Sequence, residues 1–349
     1  MAGSHGPTIS EVENGDNLLG KNGIDEEEAE LYDRQIRLWG VEAQNRMRKS
    51  SVLIVNLKGL ASEVCKNLVL AGIKSLTIVD DQDVSAEDLG AGFFFRENDI
   101  GKKRVDVALE RVKSLNPRVN VSGIAEDPIV KVSEPVFVDN FNVVCLTESD
   151  PILIAKVNSQ CRKAGKKFCC AASLGISGYI FVDFIEHAYL GERLMYDSNN
   201  ETTKVTEMRK SNFIPFEVAI KSQLYHIPPR RKNKVSSMLW AVLTLFEYQN
   251  RHKGKFPSKV EGYDELVEIA KEILKAREID EKILPVDLLK RLVETSNAEF
   301  APTCSIIGSV LSQEILNSLG AHQSTMVNMF VFDGQNFSGD IYALGVERT

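Results

Sequence analysis

The chain has 349 residues, 43% hydrophobic and 26% charged, which is the composition of a folded globular protein with length for roughly two domains or one large α/β domain carrying an insertion. Its 42 Lys and Arg against 49 Asp and Glu give a net charge of −7, and no run reaches the roughly 18 apolar residues of a membrane span, so neither nucleic acid nor membrane is expected as a partner. Six cysteines (Cys65, Cys145, Cys161, Cys169, Cys170, Cys304) lie mostly in apolar stretches, without CxxC or a histidine at metal-ligand spacing; buried thiols in a reducing, intracellular compartment are expected, and no zinc site.

Residues 1–24 are polar and lack a signal peptide's apolar core, and read as a flexible tail. A helix is expected from Asp25, with Glu28 three residues on as in a capping box, and Gly40 interrupts it. Ser51 to Leu57 is a continuous apolar run of strand length, Lys58-Gly59 turns, and Ala61 to Ala71 reads as a helix stopped by Gly72. With a strand at Ser75 to Val79, this predicts a parallel strand pair joined by a crossover helix. A helix follows from Lys102 to Leu115, with strands at 119–124 and 142–146, a helix from Pro151 to about Ala164, and strands at 168–172 and 179–184.

The texture then becomes polar at Asp197 to Thr203 and helical from Val235 to Phe246, so residues 187–295 read as a helical insertion between an α/β part at 25–186 and its continuation at 296–349. In that continuation Cys304 to Leu319 is a helix rich in small residues, suited to close packing on a sheet, and Met329 to Phe332 a strand.

The Gly59 turn is where α/β proteins hold nucleotide phosphates. Laid on a GxGxxG template, it has Asn56, Lys58 and Ala61 at the three glycine positions, so side chains enter the space a pyrophosphate needs. Asp80, 21 residues after Gly59, has the spacing of a ribose-binding acid and is the sole support for an NAD-dependent oxidoreductase; it reads equally as a solvated strand end.

Tyr32-Asp-Arg-Gln-Ile-Arg-Leu-Trp-Gly40, then Lys58-Gly59-Leu60 with Lys66-Asn67-Leu68, then Val79-Asp80-Asp81, resemble the adenylation domain of ubiquitin-like-modifier activating enzymes. Ala301-Pro302 through Gly308 to Gln313-Glu314-Ile315, with Phe332-Asp333-Gly334, is similar to that family's return to the sheet. The resemblance implies a Rossmann-like, ThiF/MoeB-type α/β fold with a mixed, mostly parallel sheet. It also implies ATP-site positions, and all of them depart from the active pattern: Asp88 stands for an Asn, Ala91 for an Arg, Gly92 for a Gln, Arg104 for a Lys, and Ser149 for the magnesium-binding Asp. Without that carboxylate and those cations, charge neutralisation of a phosphoryl transition state fails.

The resemblance therefore implies a non-adenylating half that binds no cofactor alone. Arg34 is its remaining functional residue, reaching in trans to the ATP phosphates of a partner's site, while Arg37 supports or is structural. The length and the single insertion are similar to the smaller, Aos-type subunits of heterodimers that activate SUMO, the insertion being the remnant of a catalytic-cysteine half-domain. The expected partners are SUMO and an Uba-type catalytic subunit holding ATP, magnesium, zinc and the thioester cysteine. Pro228 to Lys234 reads either as a nuclear address, which suits a nuclear and cytoplasmic protein, or as a solvated loop. The alternative of a free-standing ThiF/MoeB-type homodimer conflicts with the losses at Asn56, Lys58, Ala91 and Ser149, which a second identical copy cannot repair.

Overall fold

The computed structural model describes residues 24–134, 136–196, 202–224, 227, 232, 234–257 and 261–346. The expected N-terminal tail, apart from Ile24, and all of Pro228 to Lys234 except Lys232 and Lys234 lie outside the described residues.

Three short helices open the fold: α1 (Glu26–Leu31), α2 (Asp33–Trp39) and α3 (Val41–Met47). Asp25 caps α1 by accepting from the Glu28 amide at 2.7 Å. Gly40, at φ 85°, separates α2 from α3 in a conformation that disfavours any Cβ. Then β1 (Ser51–Val55), α4 (Gly59–Leu70) and β2 (Ser75–Val79) form the expected crossover unit. The alternation runs on through α5 (Arg104–Lys113), β3 (Asn120–Ile124), α6 (Pro128–Ser133), β4 (Val143–Thr147), α7 (Pro151–Lys163) and β5 (Lys167–Leu174). These five strands are parallel in the order β3-β2-β1-β4-β5, so the chain reverses its direction of travel across the sheet beside β1. The open crevice of such a sheet lies there, at the carboxyl ends of β1 and β4.

The sheet then turns antiparallel. β6 (Ser177–Asp183) pairs with β5, and the late strands add to it. Between them, residues 186–212 are not helical as expected: β7 (Glu186–Tyr196) and β8 (Thr202–Asn212) make a separate two-stranded hairpin. The helices of the insertion follow as α8 (Phe216–Lys221), α9 (Ser237–Arg251), α10 (Glu261–Ala276) and α11 (Val286–Thr295). They do not form a unit apart from the sheet. In α9 every residue from Met238 to Phe246 is buried, as in a helix apolar all round, because it lies between the sheet and the outer helices α10 and α11.

The chain returns through α12 (Ala301–Gly320), β9 (Met329–Asp333) and an edge strand β10 (Ser338–Tyr342) that the sequence reading did not anticipate. The result is three layers. Leu53 and Val55 of β1 face one core with α7, α9, α10 and α11, while Val52 and Ile54 face the other with α4, α5 and α12. This alternation follows from the two-residue period of a strand covered on both faces. The small residues of α12 do allow close approach: a Cβ on Gly308 would lie 2.7 Å from the Cβ of Glu63 on α4.

Candidate functional site

The crevice beside β1 is a cleft of about 470 Å³ lined by Asn56, Lys58, Asp80, Asp81, Gln82, Arg104, Asp127, Glu148, Ser149 and Asp150, among others. It brings together most of the positions assigned to a nucleotide site, and nearly all of them are bonded to one another. Asn56, at a left-handed φ of 68°, donates its amide to Thr147 O at 2.9 Å and Ser149 Oγ at 3.0 Å. Two of the replaced positions thereby satisfy each other. Arg104 Nε meets Asp88 Oδ2 at 2.9 Å, with both side chains buried, and Asp88 also accepts from the Ser85 amide at 2.8 Å. The place of a free cation near phosphate is thus taken by an internal ion pair.

Asp80 is not a solvated strand end: it is buried, and its two oxygens accept from the Leu57 amide at 2.6 Å and the Gln82 amide at 2.8 Å. Burial pushes its carboxyl above the usual range, against those two hydrogen bonds and the Arg104 charge 3.7 Å away. With both oxygens committed to the turn, Asp80 has a structural explanation that the oxidoreductase reading lacks.

Gly59 and Ala91 are in close contact, since a Cβ at Gly59 would lie 2.6 Å from that of Ala91. At the start of α4 no local side chain caps the helix. Instead Glu299, just before α12, accepts from the Gly59 amide at 2.9 Å through Oε2 and from the Leu60 amide at 3.0 Å through Oε1. The sequence reading missed Glu299, whose bond to Gly59 joins residues 240 apart. Nearby stands Glu148, which lines the same cleft. Burial and then the Glu299 charge push its carboxyl well up, while it accepts from the Ser173 amide at 2.7 Å.

The lining is richer in acids than in cations, with Asp80, Asp81, Asp127 and Asp150 against Lys58 and Arg104, and the α4 N-terminus already holds a carboxylate. Among the described residues no group of three or more His, Cys, Asp or Glu is arranged to hold a metal ion. All six cysteines are buried, and burial drives the Cys65, Cys161, Cys169, Cys170 and Cys304 thiols up, the opposite of what a thioester nucleophile requires.

Arg34 is not part of this cleft. Its helix α2 buries no residue and packs at the other end of α4, where Gln35 Nε2 donates to Leu70 O at 3.3 Å and Tyr32, bonded to Asn116 at 2.7 Å, covers Gly72. Twelve residues of α4 put about 18 Å between that end and the Gly59 turn. The Arg34 side chain is exposed and has no hydrogen bond or ion pair among the described residues, whereas that of Arg37 is tied to Asp33 at 3.0 Å. Leu38, one helical turn from Arg34, is 69% exposed. Leu70 on α4, Ile306 on α12 and Phe93, whose ring lies 4.7 Å from the Lys66 ammonium of α4, are further exposed apolar residues.

A model of the ThiF family matches residues 32–346. The chain is 36% identical over 345 residues to SUMO-activating enzyme subunit 1 of Homo sapiens, covering 93% of this chain and 97% of that protein. It is 33% identical to SUMO-activating enzyme subunit 1 of Xenopus tropicalis, covering 92% and 97%. It is 31% identical to DNA damage tolerance protein RHC31 of Saccharomyces cerevisiae, covering 89% and 95%. Among solved structures, E. coli MccB with succinimide superposes with a TM-score of 0.53 at 14% identity, covering 93% of this chain and 73% of that one, a likeness of fold alone.

Proposed function

The chain belongs to the ThiF family, and from that premise we propose that it is the non-adenylating subunit of a heterodimeric SUMO-activating enzyme. In this reading it completes the ATP site of an Uba-type catalytic subunit, so that the C-terminus of SUMO is adenylated and then passed to that subunit's cysteine. It has no turnover of its own. The relatives named SUMO-activating enzyme subunit 1 support a role in SUMO activation. The observation that supports the regulatory part is the set of internal bonds at the replaced positions: Asn56 with Ser149, Asp88 with Arg104, and Glu299 on the α4 amides.

Arg34 has the complementary property. It sits at the far end of α4 from its own cleft, on a helix none of whose residues is fully buried, so its guanidinium is available to a second protein and not to its own turn. A planar, permanently charged fork suits phosphate oxygens in trans. The exposed Leu38, Leu70, Phe93 and Ile306 suit a permanent partner, for which interfaces above about 2,000 Å² are usual.

Two measurements test this reading. Calorimetric titration of ATP with magnesium into the lone chain is expected to give no saturable binding, and adding the chain to a catalytic subunit is expected to raise SUMO-dependent ATP:pyrophosphate exchange. Micromolar, magnesium-dependent binding by the lone chain, or exchange by the catalytic subunit that is indifferent to it, contradicts the reading.

A further inference from the structure

We infer that the groove between α8, α9 and α10 is a binding site for a small organic acid, one carboxylate on a short apolar body, anchored by the Arg277 guanidinium. The groove lies in the insertion and shares no lining residue with the cleft beside β1. What that cleft binds has no bearing on it.

Two arginines are buried among the described residues, Arg104 and Arg277. Arg104 lies 2.9 Å from Asp88, and pairing with an acid is how a charge is ordinarily tolerated in an interior. Arg277, which directly follows α10, is 9% exposed and donates to backbone carbonyls alone: Nε to Ser222 O at 3.3 Å, Nη1 to Ile273 O at 3.4 Å and Nη2 to Ile220 O at 2.9 Å. Burial holds its pKa below the usual arginine value, and no carboxylate is close enough to oppose that shift. The carbonyls at the ends of α8 and α10 carry partial negative charge, which softens the cation without cancelling it. One N–H on each terminal nitrogen of the fork is left over.

The guanidinium lines a groove of about 320 Å³ walled by Ile220, Leu243, Phe246 and Ile273. That is at the low end of small-molecule pockets, about 300–1,000 Å³. The other charges along it are already spent: Arg251 pairs with Glu247 at 2.9 Å and Glu272 at 2.6 Å, and Lys221 with Glu217 at 2.7 Å. Arg277 is left as the lining cation without an acid. The acids at the rim disfavour a multiply charged anion such as phosphate, whereas a single carboxylate can accept from the N–H groups that the carbonyls leave. The walls then reward an apolar body on that carboxylate. Such a ligand touches α8, α9 and α10 together, so it stabilises the folded chain by mass action.

The test uses the full chain alone, without ATP, modifier or partner, so it can fail while the proposed function stands. The probe is hexanoate, with its neutral analogue hexanamide and inorganic phosphate for comparison, followed by methyl-detected NMR titration and by melting curves at equal ionic strength. Wild type should bind hexanoate saturably, with shifts at the Ile220, Leu243 and Ile273 methyls, a raised melting temperature and a preference of roughly tenfold or more over hexanamide. Arg277→Gln should lose that preference and Arg277→Lys should keep part of it. Because Arg277 also ties down the end of α8, Ala276→Phe carries the test if those variants unfold. It places a ring at an exposed lining position and should weaken hexanoate binding roughly tenfold or more while the chain stays folded. No saturable binding by wild type overturns the inference, as do equal affinities for hexanoate and hexanamide, tighter binding of phosphate, shifts confined to other parts of the chain, or Ala276→Phe that binds hexanoate as wild type does.

Discussion

Removing Arg104 separates a pocket built to bind nucleotide from one closed on itself. In the first case the arginine is a ligand in waiting, and Arg104→Ala lowers affinity for ATP at little cost in stability. In the structure it is instead half of a buried ion pair, with 9% of its side chain exposed against 4% for Asp88. Deleting one partner of such a pair strands the other charge, at a cost of about 3–5 kcal/mol. Asp88 keeps the Ser85 amide at 2.8 Å and the Ser85 hydroxyl at 3.2 Å, which places the expectation at the lower end, about 3 kcal/mol. The assay is urea unfolding of wild type, Arg104→Ala, Asp88→Asn and the double variant. The midpoint should fall for Arg104→Ala with the slope unchanged. Asp88→Asn in that background should restore part of the loss, giving a coupling energy above about 1 kcal/mol. An Arg104→Ala chain within about 0.5 kcal/mol of wild type refutes the self-satisfied pocket.

Two further outcomes follow from buried contacts away from the cleft. Gly72, at φ 79°, lies under the Tyr32 ring, so Gly72→Ala should cost about 2 kcal/mol or more through backbone strain and loss of the Asn116–Tyr32 bond, and an unchanged melting temperature would contradict that packing. Glu314, accepting from the Met326 amide at 2.6 Å, is pushed up to about 7 by burial from a usual 4.5. The native chain then holds a proton that the unfolded chain has released, so this group lowers stability progressively as pH rises from about 4.5 to about 7, with no further loss above. Glu314→Gln should remove that slope and be more stable than wild type above pH 7 by up to about 3 kcal/mol; parallel stability–pH curves for the two proteins would dismiss the raised carboxyl.

The β1–α4–β2 unit was legible because a buried parallel strand is a short continuous apolar run, and Gly72 punctuates the helix end. The small residues of α12 likewise announced close packing. The hairpin β7–β8 escaped notice because a two-stranded ribbon outside the main sheet has no face that must be apolar throughout, and polar residues such as Glu207, Arg209 and Lys210 mask its period. β10 was missed for a related reason: it is an edge strand whose short alternation places Ile341, not a polar residue, outward. The insertion's helical period begins abruptly in the sequence, but that α9 is apolar on all sides and packs on the sheet needed the fold. In the site, the lost positions were visible one by one. That Asn56 finds Ser149 and Asp88 finds Arg104 needed the fold, and Glu299 gave no signal beside its chain neighbours because its partners lie at the other end of the sequence.

The central claim is that this chain acts through Arg34 on a partner's site and through nothing in its own. The measurement is SUMO-dependent ATP:pyrophosphate exchange by the reconstituted pair carrying Arg34→Ala, with Arg37→Ala as the control one turn away, its guanidinium already held by Asp33. Heterodimer formation should be unchanged while exchange falls, with the 10³- to 10⁵-fold effect of arginine fingers as an upper bound, roughly, because the partner's own cations remain. Arg34→Lys should restore only part of the rate, and Arg37→Ala should lose less than Arg34→Ala. Wild-type exchange by the Arg34→Ala pair would contradict the account, leaving Arg34 a solvated helix residue and the chain's contribution one of binding alone.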